Sequence, residues 1–91
     1  MRRSKFEICL NVLETLTLEG PMRINKITCK TNLNYVYLKE VMNDLRQRRL
    51  VEERKMNNSF TYAATSKAIL VLSQFKEVRQ SLPFLNDTLA V

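Results

Sequence analysis

A mostly α-helical domain carrying one small β-hairpin, in the order α-α-α-β-β-α, is the fold class this sequence predicts. Three observations carry the prediction. Apolar residues return every three or four positions in segments before residue 48 and again after residue 66, the period of an amphipathic helix. Between those segments, VEERKMNNSFTYAA reads as two strands around Asn57-Asn58, a pair suited to the positive φ of a two-residue hairpin turn. Gly20-Pro21 and the stretch TNLN break the helical pattern where a chain reversal is needed.

The first helix is expected over residues 4–18. Ser4 and Glu7 have capping-box spacing, and Phe6, Cys9, Leu10, Leu13 and Leu16 form the core stripe, with Ile8 and Val12 lying off it. Gly20 and Pro21 end this helix, because glycine accepts a positive φ and proline cannot continue the ladder. A short second helix over residues 25–30 turns Ile24, Ile27 and Cys29 inward and Lys26 and Lys30 outward. Asn34 is a good N-cap for the next helix, and Leu33 can plug the turn before it.

The third helix, residues 35–48, has one clean apolar face in Leu38, Val41, Met42 and Leu45. Tyr35, Lys39, Asn43 and Arg46 lie on other faces, with Tyr37 beside them. In the hairpin, the Asn-Asn turn sets Lys55 opposite Phe60, Glu53 opposite Tyr62 and Val51 opposite Ala64. Val51, Tyr62 and Phe60 then share a core-directed face, and Arg54 points away. Thr65 or Ser66 caps a last helix over residues 67–81. It carries Ala68, Val71, Phe75, Val78 and Leu82 in one strip and Ile69, Leu70 and Leu72 in a second, more apolar surface than one packed face requires. Pro83 breaks it. Residues 1–82 are therefore expected to form one domain including the 66–82 helix, and 83–91 a tail. Two short helices around a turn, followed by a basic hairpin, make a winged helix-turn-helix.

Bulk properties narrow the function. The 91 residues suit a single domain with a modest core, and 45% hydrophobic with 26% charged residues is globular composition. No apolar run approaches the roughly 20 residues of a membrane span, and the basic N-terminus lacks the apolar segment of a secretory signal. An intracellular, cytoplasmic protein is expected. Without histidine, Cys9 and Cys29 make a poor metal set, so both are expected as small buried hydrophobes and no metal or cofactor is expected. No nucleophile–base pair, paired-carboxylate motif or glycine-rich phosphate loop is present, which argues against an enzyme. A small-molecule ligand is not expected.

The net charge of +6 is localised. Residues 20–67 hold ten Lys or Arg against four Asp or Glu, while residues 1–19 and 68–91 are each neutral. A basic middle between neutral flanks points to a polyanion, above all double-stranded DNA. Candidate contacts are Lys26 and Lys30 on the second helix. On the third they are Asn34, Tyr35, Tyr37, Lys39, Asn43 and Arg46, and on the wing Arg54, Lys55, Asn57 and Asn58. Each has a plainer role open to it. Asn34 can simply cap, Tyr35 can pack on the second helix, and Arg46, Arg48 and Arg49 complement a helix C-terminus. Arg2, Arg3 and Lys5 could form an arm or be merely solvated. The surplus apolar strip of the last helix predicts a homodimer through Ala68, Val71, Phe75, Val78 and Leu82. The competing reading is a winged-helix adaptor that binds protein rather than DNA.

The stretch ITCKTNLNYVYLKEVMNDLRQRRLVEE resembles a family of small archaeal winged-helix DNA-binding proteins. The matching features are Ile27, the NLNY turn of Asn32 to Tyr35, the Leu38/Met42/Leu45 face and the LVEE entry to the wing. YAATSKA is similar to the family's wing exit, with Ala68 where a glycine is common. The resemblance covers residues 4–82. It implies a chromatin-associated, nucleoid-bound or regulatory protein that is dimeric through its C-terminal helix. Val36 and Tyr37 stand where many relatives carry basic residues, and Glu40 where one is frequent.

Overall fold

The computed structural model describes residues 4–82. Helices α1 (Lys5–Glu19), α2 (Ile24–Thr31) and α3 (Tyr35–Gln47) are followed by strands β1 (Val51–Met56) and β2 (Ser59–Ala64), then by α4 (Ser66–Ser81). This is the predicted α-α-α-β-β-α order. Arg2, Arg3, Pro83 and the rest of the tail lie outside the described residues. No helix of the described residues is long and apolar enough to cross a membrane.

Helix α1 is the spine. The Ser4 hydroxyl accepts from the Glu7 N–H at 3.1 Å to start it, and Gly20 (φ 85°) donates to the Leu16 carbonyl at 3.0 Å to close it. α2, β2 and α4 all pack on this helix, so it is buried on more than one side. That corrects the expected stripe. Ile8 and Val12 join Leu13 and Leu16 in the core, whereas Phe6 is half exposed and sets its ring edge-on to Phe75 at 5.2 Å.

α2 departs from the expected inward set at Cys29. Ile27 is buried but Cys29 is exposed, and Cys9 is only partly buried. Thr28 and Thr31 take the inward positions instead. Their hydroxyls donate to the Ile24 and Ile27 carbonyls at 2.9 and 2.6 Å, which satisfies the polar atom inside the helix and lets Thr31 be buried. Asn32 then turns the chain in the left-handed region (φ 56°) and Leu33 plugs the corner.

α3 presents Leu38, Val41, Met42 and Leu45 to the core as predicted. Its end is a Schellman motif: Leu50 N–H donates to the Leu45 carbonyl at 2.9 Å and Arg49 N–H to that of Arg46 at 3.0 Å. The residue in the left-handed position is Arg49 (φ 62°), where glycine would be unstrained.

The hairpin has the predicted register, with Val51 opposite Ala64, Glu53 opposite Tyr62 and Lys55 opposite Phe60, and Asn57 (φ 57°) in the turn. Val51 is buried and Tyr62 packs against the core, but Phe60 is 50% exposed. Alternation aims it correctly; the wing simply extends past the end of the core. Met22, just before α2, forms a single bridge to Tyr62, exchanging N–H···O bonds of 3.1 and 2.9 Å that tie the hairpin to the α1–α2 corner.

Thr65 caps α4 by accepting from the Ala68 N–H at 3.2 Å, and its hydroxyl donates to the Arg49 carbonyl at 2.7 Å. Ala68 alone among the sixteen residues of α4 is buried. It belongs to the domain's own core, so it is withdrawn from the expected dimer strip. Leu72 packs against the same core, while Ile69, Leu70, Val78 and Leu82 remain exposed.

Candidate nucleic-acid interface

Helical periodicity divides α3 into three surfaces. Opposite the buried face lie Val36, Glu40, Asn43 and Gln47, all exposed. On the flank toward the hairpin, Tyr35, Lys39, Asn43 and Arg46 line two adjoining clefts that share Lys39, Glu53 and Tyr62. On the other flank sit Asp44 and Tyr37. Asn34, which begins the helix, accepts from the N–H groups of Val36 at 2.8 Å and Tyr37 at 3.3 Å, so its side-chain oxygen is committed to capping.

Charge is arranged unevenly across these surfaces. Arg46 donates to the Glu53 carboxylate at 3.2 Å, linking α3 to β1 across the cleft. Burial, and then the adjacent Glu53, hold the Tyr62 phenol above its ordinary pKa. The Lys39 ammonium lies 5.7 Å from the Tyr35 ring centroid, a cation–π distance. On the far flank Asp44 accepts from Lys5 at 3.0 Å and approaches Arg48 at 3.5 Å. The Lys5 hydrogen bond is the largest cause of the lowered Asp44 pKa, and the same bond raises that of Lys5.

The expected contact residues separate accordingly. Tyr35, Lys39, Asn43 and Arg46 come together beside the wing, whereas Tyr37 is packed partly into the core and is not presented with them. Lys30 is paired with Glu19 at 3.0 Å and Arg54 with Glu52 at 2.7 Å. Lys26, Lys55, Asn57 and Asn58 are exposed. Among the described residues Arg23, Lys26, Lys39, Arg49 and Lys55 have no carboxylate partner, nor do Lys67, Lys76 and Arg79 on α4. Arg23 is outside the predicted set, and Arg49 is expected there only to complement the end of α3. Arg23 occupies the cap position of α2 without a side-chain capping bond and lines the cleft with Tyr35 and Phe60. Its signal in the sequence was a lone basic residue between Pro21 and the first isoleucine of α2.

The two adjoining clefts therefore bring together the unpaired Arg23 and Lys39, a polar helix flank and the exposed rings of Tyr35 and Phe60. Together these can neutralise phosphates and reach base edges. Glu40 and the 67% exposed Val36 occupy the outermost face of α3.

Residues 2–82 match the family model described as winged helix-turn-helix. No curated protein matches the chain in sequence. Among solved structures, Sso10a-2, a DNA-binding protein from Sulfolobus solfataricus, is 20% identical with a TM-score of 0.73, over 94% of this chain and 92% of that one. AF1382 from Archaeoglobus fulgidus is 21% identical with a TM-score of 0.68, over 84% and 88% of the two chains. Sco5413, a MarR family transcriptional regulator from Streptomyces coelicolor, is 17% identical with a TM-score of 0.75, over 88% of this chain. The chain spans 58% of the length of Sco5413, and 59% of that of BpsR from Bordetella bronchiseptica.

Proposed function

Because the chain belongs to the winged helix-turn-helix family, we propose that it binds double-stranded DNA as a transcriptional regulator or chromatin-associated protein of the cytoplasm or nucleoid. α3 enters the major groove with its Tyr35–Lys39–Asn43–Arg46 flank, and the wing lies on the backbone or minor groove. The observation that carries this reading is where the free charge sits. All the net charge lies in residues 20–67, which hold α2, α3 and the hairpin, and six of the eight cations without a carboxylate partner among the described residues, Arg23, Lys26, Lys39, Arg49, Lys55 and Lys67, lie there. The names of Sso10a-2, as a DNA-binding protein, and of Sco5413, as a transcriptional regulator, support it.

The protein acts as a homodimer through α4 in this reading. With Ala68 assigned to the core and Phe75 packed on Phe6 and Arg79, the strip left is Val71, Val78 and Leu82 with Leu70, and a two-fold axis would cover it with a second copy. Two recognition helices on one duplex then multiply weak individual contacts.

One observation favours a protein-binding adaptor: exposed Val36 beside Glu40 on the outermost face of α3 suits a protein groove better than a phosphate. Titrating the Arg54→Ala/Lys55→Ala double variant against duplex DNA separates the two. DNA binding predicts weaker affinity for all sequences alike and a flatter salt dependence. A folded double variant that binds like the parent would take the wing off DNA.

A further inference from the structure

The cleft between the start of α2, the start of α3 and the hairpin adds Phe60 and Tyr62, which are not among the proposed duplex contacts, to Tyr35 and Lys39, which are. Its volume is about 360 Å3, and Tyr35, Phe60 and Tyr62 all line it, with Arg23 and Lys39 at its edge. Tyr35 is 45% and Phe60 50% exposed. In a duplex the bases stack on one another and offer only their edges. Exposed ring faces beside cations are what an unpaired base needs, because every base has a face to stack and a phosphate on each side. We propose that this cleft is a single-stranded nucleic-acid site, in which an unpaired base stacks on Phe60 and Tyr35 and the flanking phosphates meet Arg23 and Lys39.

Charge complementarity selects this occupant. Arg23 and Lys39 have no carboxylate partner among the described residues, and Lys55 stands opposite Phe60 on the neighbouring strand. The one acid in the cleft, Glu53, is already neutralised by Arg46 at 3.2 Å. Phe60 is not one of the duplex contacts proposed above, so the two activities can be tested apart.

The test measures anisotropy of a labelled oligo-dC of about twelve nucleotides, within the usual span of a stacking groove, and separately of a duplex. Phe60→Ala should weaken the single strand roughly ten-fold, the scale of one lost base stack, and leave duplex affinity unchanged. Phe60→Trp should retain single-strand binding. Since the chain has no tryptophan, its indole would be the sole such reporter and should be quenched by the oligonucleotide. Absence of single-strand binding by the parent overturns the proposal, as does a Phe60→Ala variant that binds the oligonucleotide normally or loses both ligands equally. Loss of duplex binding alone, with the single strand still bound through Phe60, would sink the duplex reading and leave this one standing.

Discussion

Arg46 in α3 donates to Glu53 in β1 at 3.2 Å, so α3 and the hairpin are joined by an ion pair across the cleft between them. In the proposed complex, DNA competes with Glu53 for that guanidinium. Glu53→Gln should therefore raise duplex affinity several-fold and steepen the salt dependence by about one phosphate's worth, roughly 0.9 in the log–log slope. Unchanged affinity in a folded variant would mean that Arg46 is not on the DNA.

Arg49 occupies a left-handed position (φ 62°) at the end of α3. An L-residue there costs on the order of 1 kcal/mol relative to glycine. Arg49→Gly should raise stability in urea by up to about that amount, offset in part by glycine's chain entropy, while weakening duplex binding if the guanidinium contacts phosphate. A loss of stability would show that the Arg49 side chain holds the α3–β1 corner by contacts worth more than the strain.

The Lys5 hydrogen bond holds the Asp44 carboxyl below its ordinary range in the folded state. Its contribution to stability is complete above the ordinary carboxylate value of 3.8 and is lost as pH falls through the lower folded value. Asp44→Asn should be less stable than the parent at neutral pH and should lose less on acidification. Parallel stability curves from neutral pH to pH 2 would contradict the link between α1 and α3.

Much of the scaffold was legible in local sequence. Asn34 as a cap, the four-residue face of α3 and the hairpin register around Asn57-Asn58 depend on neighbours a few positions away, where periodicity and turn chemistry act. The rest depended on what packs from elsewhere. Val12 is buried because α1 is covered on several sides, which no single-stripe reading of one helix reveals. Phe60 alternates inward yet finds no core beneath it, since strand period does not say where the core ends. Cys29 yielded to two threonines that satisfy their hydroxyls within the helix. The Met22–Tyr62 bridge is one residue long and has no period to detect. At the site, the charge was visible in sequence but its pairing was not. Arg46–Glu53 and Lys30–Glu19 join separate elements and leave a different set of cations free from the one that composition suggested.

The dimer through α4 predicts twice the monomer mass in light scattering at micromolar concentration. Covering the apolar strip gains about 25 cal/mol per Å2 removed from water. Phe75 is a poor probe, because it packs on Phe6 and beneath Arg79 within one chain. Val78→Glu, on the exposed strip, should give a monomer with an intact winged core. A parent that is monomeric at high micromolar concentration would show that α1 and α4 satisfy each other alone.

The central claim is that the free cations of α2, α3 and the wing neutralise DNA phosphates. Its most direct test is the slope of log affinity against log salt for a short duplex. About four to six phosphates per protomer, at roughly −0.9 each, predict a slope between about −3.6 and −5.4 per protomer. Affinity that is measurable at low salt yet indifferent to added salt would contradict the account, as would no duplex binding at all.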